Sequence, residues 1–197
     1  MKKGILLASA LVLLLGRPAA ATPINAAQGK PVTITGEVGV ITCCWPAAPV
    51  ADLSTITDGV YLPESTEWQD GSVWWDERNP GSANNVIEID LGGAYRITKL
   101  SLQADNNDRY QINYRDLYGN WHGLGYFPDV CCFGMTTRNA GIAPLDATGF
   151  QIDAFGGDQF YAVSEFQAIG DPIPEPASLV LLGTGLACVA RRRLRRH

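Results

Sequence analysis

Apolar and polar positions alternate most regularly between Val86 and Tyr114, where the chain reads VIEIDLGGAYRITKLSLQADNNDRYQINY. Val86, Ile87, Ile89 and Leu91 interleave with Glu88 and Asp90, the period of two that marks a half-buried strand. Gly92-Gly93 then interrupts the pattern. Ile97, Lys99, Ser101 and Gln103 interleave with Leu100, Leu102 and Ala104, predicting a second strand. Asp105-Asn106-Asn107-Asp108 predicts a turn, because short amides and carboxylates bond their own backbone. Tyr110, Ile112 and Tyr114 resume the alternation on a third strand. Three consecutive strands with breaks between them predict an antiparallel meander.

The flanking segments carry the same signature in shorter pieces. Pro31 to Val38 predicts an opening strand, and Trp121 to Phe127 another, entered through the turn residues Gly119-Asn120. Phe150, Ile152 and Ala154 predict a further strand, and Tyr161 to Ile169 the last. No helical period occurs between them, so the pattern predicts an all-β sandwich. From Asp52 to Asn85 the periodicity disappears, replaced by Asp58-Gly59, Pro63, Asp70-Gly71, Trp74-Trp75 and Asn79-Pro80-Gly81. So long an irregular run inside a domain is functional, or is held by something specific.

The two ends have a different character. Residues 1–21 place Lys2 and Lys3 before an apolar run and finish on Ala19-Ala20-Ala21, the three parts of a secretory signal peptide. At the other end Pro174-Glu175-Pro176 precedes an apolar run from Ala177 to Ala190, and Arg191, Arg192, Arg193, Arg195 and Arg196 follow. Apolar residues ahead of a cationic block predict a short sorting helix in the inner membrane, its arginines kept on the cytoplasmic side. The order of these features resembles the PEP-CTERM sorting signals of Gram-negative bacteria. That resemblance implies processing by an exosortase and relocation to the cell surface or an exopolysaccharide matrix. The chain then divides into a signal peptide, a β domain over residues 22–170, a linker at 171–173 and a sorting signal at 174–197.

Separating the ends changes the charge. The whole chain carries a formal net charge of −5, but residues 22–173 hold 7 bases against 19 acids, a net of −12. Such a domain repels nucleic-acid phosphates, so no nucleic-acid partner is expected. Export also bears on the cysteines: Cys43-Cys44 and Cys131-Cys132 form two adjacent pairs suited to disulfides in an oxidising compartment. Bridges between the doublets, one bridge with a free pair, and two vicinal bridges all fit the sequence.

Several motifs then fall in a familiar order: Asp58-Gly59, Thr66-x-Trp68, Val86 to Gly92, Asn113-Tyr114-Arg115 through Gly119-x-Trp121, and the ending Ala162 to Gly170. Together they resemble the discoidin or coagulation-factor type C domains, galactose-binding-like jelly rolls that include many bacterial carbohydrate-binding modules. The resemblance implies a structural calcium ion held by Asp58, Thr66 and Glu165. It also implies a sugar site using aromatic stacking and hydrogen-bond donors, for which Trp74, Trp75, Arg78, Asn84, Asn85 and His122 are the candidates. Gln151 stands near a position where that family often carries arginine.

Catalysis finds little in the chain. It has 2 histidines, one of them His197 in the tail, and no Gly-x-Ser-x-Gly, His-Glu-x-x-His or phosphate-loop motif. The sequence therefore predicts a non-catalytic adhesion or carbohydrate-binding module. A structural matrix spacer is the alternative, and a polysaccharide-active enzyme the second.

Overall fold

Branched and aromatic residues at alternate positions build eight strands in the computed structural model, which describes residues 22–40, 48–132, 134–174 and 183–185. They are β1 (Ile24–Asn25), β2 (Val32–Ile34), β3 (Val73–Asp76), β4 (Val86–Asp105), β5 (Arg109–Arg115), β6 (Trp121–Phe127), β7 (Met135–Phe155) and β8 (Phe160–Pro172). A 3-10 turn, Leu53–Thr57, is capped by Asp52, whose carboxylate accepts from the Ser54 amide. The pairings among these eight strands are antiparallel, in the order β1-β8-β4-β7-β5-β6, with β2 added on β4 and β3 on β8, and Gly39 adds a parallel bridge to Trp75.

The long strands make the sandwich. β4 continues through Gly92-Gly93, and its ladder to β7 shifts register between Asp90 and Tyr95. Val86–Asp90 pairs with Gly149–Asp153, whereas Tyr95–Asp105 pairs with Met135–Ala147 and with β8. Both β4 and β7 therefore cross from one layer to the other. The first layer joins the start of β4 to β2 and the end of β7 to β5 and β6; the second joins the remaining halves to β8, β3 and β1. This corrects the predicted meander. β7 lies between β4 and β5, and the two halves of β4 belong to opposite layers.

Ile87, Ile89, Tyr110, Ile112, Phe150 and Ile152 of one layer meet Leu100, Leu102, Ala104, Phe166 and Ala168 of the other in one core. Phe150 and Phe166 touch across it with ring centroids 5.2 Å apart. Removing these side chains from water is the main stabilising term. The second layer is also covered on its outer side. Every residue from Leu100 to Asp105 is buried, because the irregular segment before β3 lies over Ser101 and Gln103.

The two ends of the sandwich differ. Ile24 lies opposite Gly170, placing both ends of the domain together. At the far end Asp76 pairs with Phe160 and Asp105 with Met135. The loops 77–85, 106–108, 128–134 and 156–159 therefore gather away from the termini.

The signal segment, Cys43, Cys44, Trp45, Glu175, Pro176 and the terminal arginines Arg191, Arg192 and Arg193 lie outside the described residues. Among the described residues no helix is long and apolar enough to cross a membrane.

Candidate functional site

Neighbouring residues on a strand point to opposite faces, and Trp74 and Trp75 do so. Trp75 enters the main core beside Tyr161, with centroids 5.6 Å apart. Trp74 enters a second cluster with Trp68, Met135 and Ala162, and meets the Trp68 ring edge-on at 5.5 Å. Each is only 1% exposed. The expectation that one of them offers a ring to a sugar is corrected: both faces of β3 are covered, one by the sandwich and the other by the segment carrying Trp68.

The polar candidates are divided between the two ends. Arg78 stands at the far end, where its guanidinium forms a bidentate pair with Asp76 and lies 3.9 Å from the Phe160 ring centroid. That hydrogen-bonded pairing holds the Asp76 carboxyl below its usual range. Asn84 is exposed with a positive φ of 60°. Asn85 is buried and donates to the Glu37 carbonyl at 2.7 Å, so it ties loops together instead of facing a ligand. His122 lies near the β5–β6 turn, stacked on Tyr114 and bonded to Asp116 at 2.8 Å. Tyr114 and His122 pair in register with Phe150 and hence with Ile89, toward the end that carries the termini. His122 and Arg78 do not form one site.

A different aromatic pair is exposed toward the far end. On β6 the alternation sends Phe127 into the core and Tyr126 outward, and on β7 it leaves Phe155 outward. Tyr126 is 57% exposed and Phe155 37%, and their rings meet edge-on at 5.8 Å. Arg109 lies 6.0 Å from the Phe155 centroid and donates to Asp129 at 2.8 Å. Gln111 pairs in register with both Tyr126 and Asp153, which brings an amide and a carboxyl beside the rings. Burial and the Glu77 charge raise the Asp153 pKa. Tyr126 also borders an apolar cavity of about 110 Å³ lined by Leu100, Ile112, Leu124, Phe127, Ala140 and Ile142. A cavity that small does not enclose a sugar ring, so recognition here takes place on the open face. The sequence carried the signal for Tyr126 in its alternation with Phe127, but nothing in it paired Tyr126 with Phe155.

Glu165 is the buried carboxyl of β8. Burial pushes its pKa up to about 7 and the Asp58 charge adds to this, against hydrogen bonds from Gln167 and the Gly59 amide. Its oxygens accept from Gly59 N at 3.2 Å and Gln167 Nε2 at 3.1 Å. A buried acid held beside a second carboxyl fits a cation, so Asp58 and Glu165 are suitable calcium ligands. Thr66 is engaged elsewhere: its carbonyl accepts from Met135 N at 2.8 Å and its hydroxyl donates to the Pro63 carbonyl. Among the described residues no three His, Cys, Asp or Glu side chains assemble into a metal cluster. Cys131 and Cys132 are bonded to each other on the loop after β6.

Residues 172–196 match the PEP-CTERM protein-sorting motif. No curated protein matches the chain. Among solved structures the fold is similar to CpGH89CBM32-4 of Clostridium perfringens in complex with GlcNAc-α-1,4-galactose, at 18% identity and a TM-score of 0.52 over 77% of this chain and 97% of that one. It is also similar to the family 32 carbohydrate-binding module of C. perfringens NanJ in complex with galactose, at 15% identity and a TM-score of 0.52 over 75% and 98%. A fucose-binding module of Streptococcus pneumoniae shares 12% identity and a TM-score of 0.53 over 76% and 96%. The chain therefore has the galactose-binding-like jelly-roll fold of these modules.

Proposed function

We propose that the protein is an exported, non-catalytic glycan-binding module, sorted by its PEP-CTERM segment and acting in adhesion at the cell surface or in the exopolysaccharide matrix of a Gram-negative bacterium. The observation that carries this reading is the exposed Tyr126–Phe155 pair on a sandwich of the same fold as modules solved with bound sugars. Aromatic faces stack on the C–H face of a sugar ring, and Arg109, Gln111 and Asp153 supply hydrogen-bonding groups beside them. The sorting motif begins where β8 ends and the termini share the opposite end of the sandwich. An inner membrane holding that motif would leave the loop end pointing away. Exosortase cleavage near Pro174 would then free the domain with this face intact.

A glycan and exopolysaccharide binding screen tests the reading, with Tyr126→Ala and Phe155→Ala run beside the unaltered protein. The expected result is binding to at least one polysaccharide, weakened tenfold or more in either variant. Failure to bind any polysaccharide, including the host's own matrix, would leave an acidic structural spacer.

A further inference from the structure

The last residue of β4 and the three that lead to β5 contain five buried side-chain oxygens that no donor reaches: Asp105 Oδ2, Asn106 Oδ1, Asn107 Oδ1 and both carboxylate oxygens of Asp108. Asp105 is 1% exposed and Asp108 0%. A buried polar atom without a partner destabilises the fold by its full desolvation cost, and a charged one by more. Five in one short loop call for a positive centre that supplies what donors do not.

The loop is walled on each side. The carbonyl of Asn106 accepts from Val130 N at 2.7 Å, and the Gly134 amide donates to Asp105 Oδ1 at 3.0 Å. Asn107 Nδ2 donates to Asp158 Oδ2 at 3.0 Å, which turns its amide oxygen away from Asp158. The turn after β7 closes the top. A Cβ at Gly157, where φ is 56°, would fall 1.8 Å from Asp108 Oδ1 and 2.7 Å from the Asn107 carbonyl. Only glycine fits there. The Asp158 amide approaches Asp108 without completing a hydrogen bond to it.

Arg138 is the cation in this neighbourhood, yet it is committed to the backbone. Its guanidinium donates to the carbonyls of Asp105 and Asp108 and lies 5.3 Å from the Tyr110 centroid. It forms no ion pair with either carboxylate, and its one positive charge faces both Asp105 and Asp108, while Asp158 also feels Arg78. Burial pushes Asp105 up to about 7, with the Asp158 charge adding to it, and pushes Asp108 up to about 9, with Asp105 and Asp158 adding. Protonating both carboxyls would remove the charge but would supply at most two O–H donors for five unpartnered oxygens.

The geometry points to a calcium site in this loop, formed by the carboxylates of Asp105 and Asp108 with the amide oxygens of the asparagines between them, and separate from the Asp58–Glu165 pair. Calcium takes 6–8 oxygen ligands and accepts carboxylate, amide and water oxygens in a flexible arrangement. Two carboxylates with two amides suit it, and water completes the shell. The bound ion joins three of the far-end loops: the β4–β5 loop that holds it, the cysteine-bearing loop through Val130 and Gly134, and the β7–β8 turn through Gly157 and Asp158. The site stands whether or not the domain binds a glycan.

The test is calcium titration of the full chain, stripped with EDTA and followed by calorimetry and thermal melting. Unaltered protein is compared with Asp105→Asn/Asp108→Asn and with Glu165→Gln. The double variant removes buried charge, so it is expected to fold in EDTA at least as well as the unaltered protein. It should bind one equivalent of calcium fewer and lose the corresponding rise in melting temperature, while Glu165→Gln keeps that equivalent. Magnesium should compete at least tenfold more weakly. Equal calcium stoichiometry in the double variant and the unaltered protein would overturn the site, as would absence of calcium binding at millimolar concentration. A double variant less stable than the unaltered protein in EDTA would also overturn it, because Arg138 would then be the counter-ion.

Discussion

Gln103 pairs its side-chain amide with both backbone polar groups of Leu62. Oε1 accepts from Leu62 N at 2.7 Å, and Nε2 donates to the Leu62 carbonyl at 2.9 Å. The same amide takes the Ser164 hydroxyl at 2.7 Å and donates to Thr137 Oγ1 at 3.0 Å. One fully buried side chain thus does for the irregular segment what a neighbouring strand does for a regular one. Beside it, the Tyr61 hydroxyl donates to Ser101 Oγ at 2.7 Å. Gln103→Leu keeps the volume but leaves the Leu62 amide and carbonyl unpaired. It should cost about 2–4 kcal/mol, read from the urea midpoint at constant m-value. A loss under about 0.5 kcal/mol would mean that the segment is held by other contacts.

The tryptophans and the exposed aromatic pair make opposite predictions. Trp74→Ala empties part of the cluster beneath Trp68 and should cost about 3–5 kcal/mol, with binding unaltered in whatever fraction remains folded. Phe155→Ala and Tyr126→Ala remove partly exposed rings and should cost about 1 kcal/mol or less while reducing glycan affinity. Parallel melts and binding isotherms on the three variants separate these effects. A folded Trp74→Ala protein that has lost binding would return the ligand to β3.

The alternation of apolar and polar residues revealed the all-β class and most of the strands, because a period of two reports burial on one face directly. It did not reveal that β4 crosses layers at Gly92-Gly93, since a strand that bends and a hairpin leave the same local pattern. Nor did it expose the first half of β7, where Thr136, Thr137 and Arg138 break the apolar alternation. The site was less legible still. Trp74 and Trp75 were open to a ligand role only until the segment that covers β3 was placed, and that cover depends on Gln103, 41 residues from Leu62 in the chain. Glu165 lies beside the Asp58-Gly59 turn through the Gly59 amide, whereas Thr66 is drawn to Met135 by a backbone pairing that no motif announces.

The cysteine doublet on the far-end loop carries a prediction of its own. A bridge between neighbours closes almost no chain, so it restricts the unfolded state little. Cys131→Ser/Cys132→Ser should therefore move the melting temperature by about 2 °C or less. Non-reducing peptide mapping should find residues 131 and 132 joined within one peptide. A peptide from the early loop crosslinked to this one would replace the vicinal bridge with a staple between loops, and reduction would then have a far larger effect.

Stability in the absence of calcium should run against the usual direction for an acidic protein. Glu165 has a folded pKa near 7 against an ordinary value of 4.5, so the folded state holds its proton more tightly than the unfolded state. Its contribution is fully present below about pH 4.5 and is lost as pH rises through about 7. Asp105, raised to about 7, adds a change of the same sign. In EDTA the melting temperature should fall between pH 4.5 and 7, and Glu165→Gln should flatten that slope in part. A cation bound only to the folded state reverses the balance by mass action. At pH 7.5 millimolar calcium should raise the melting temperature of the unaltered protein, and by less in Asp58→Ala/Glu165→Ala. An equal rise in that variant would assign the whole calcium effect to sites other than Glu165.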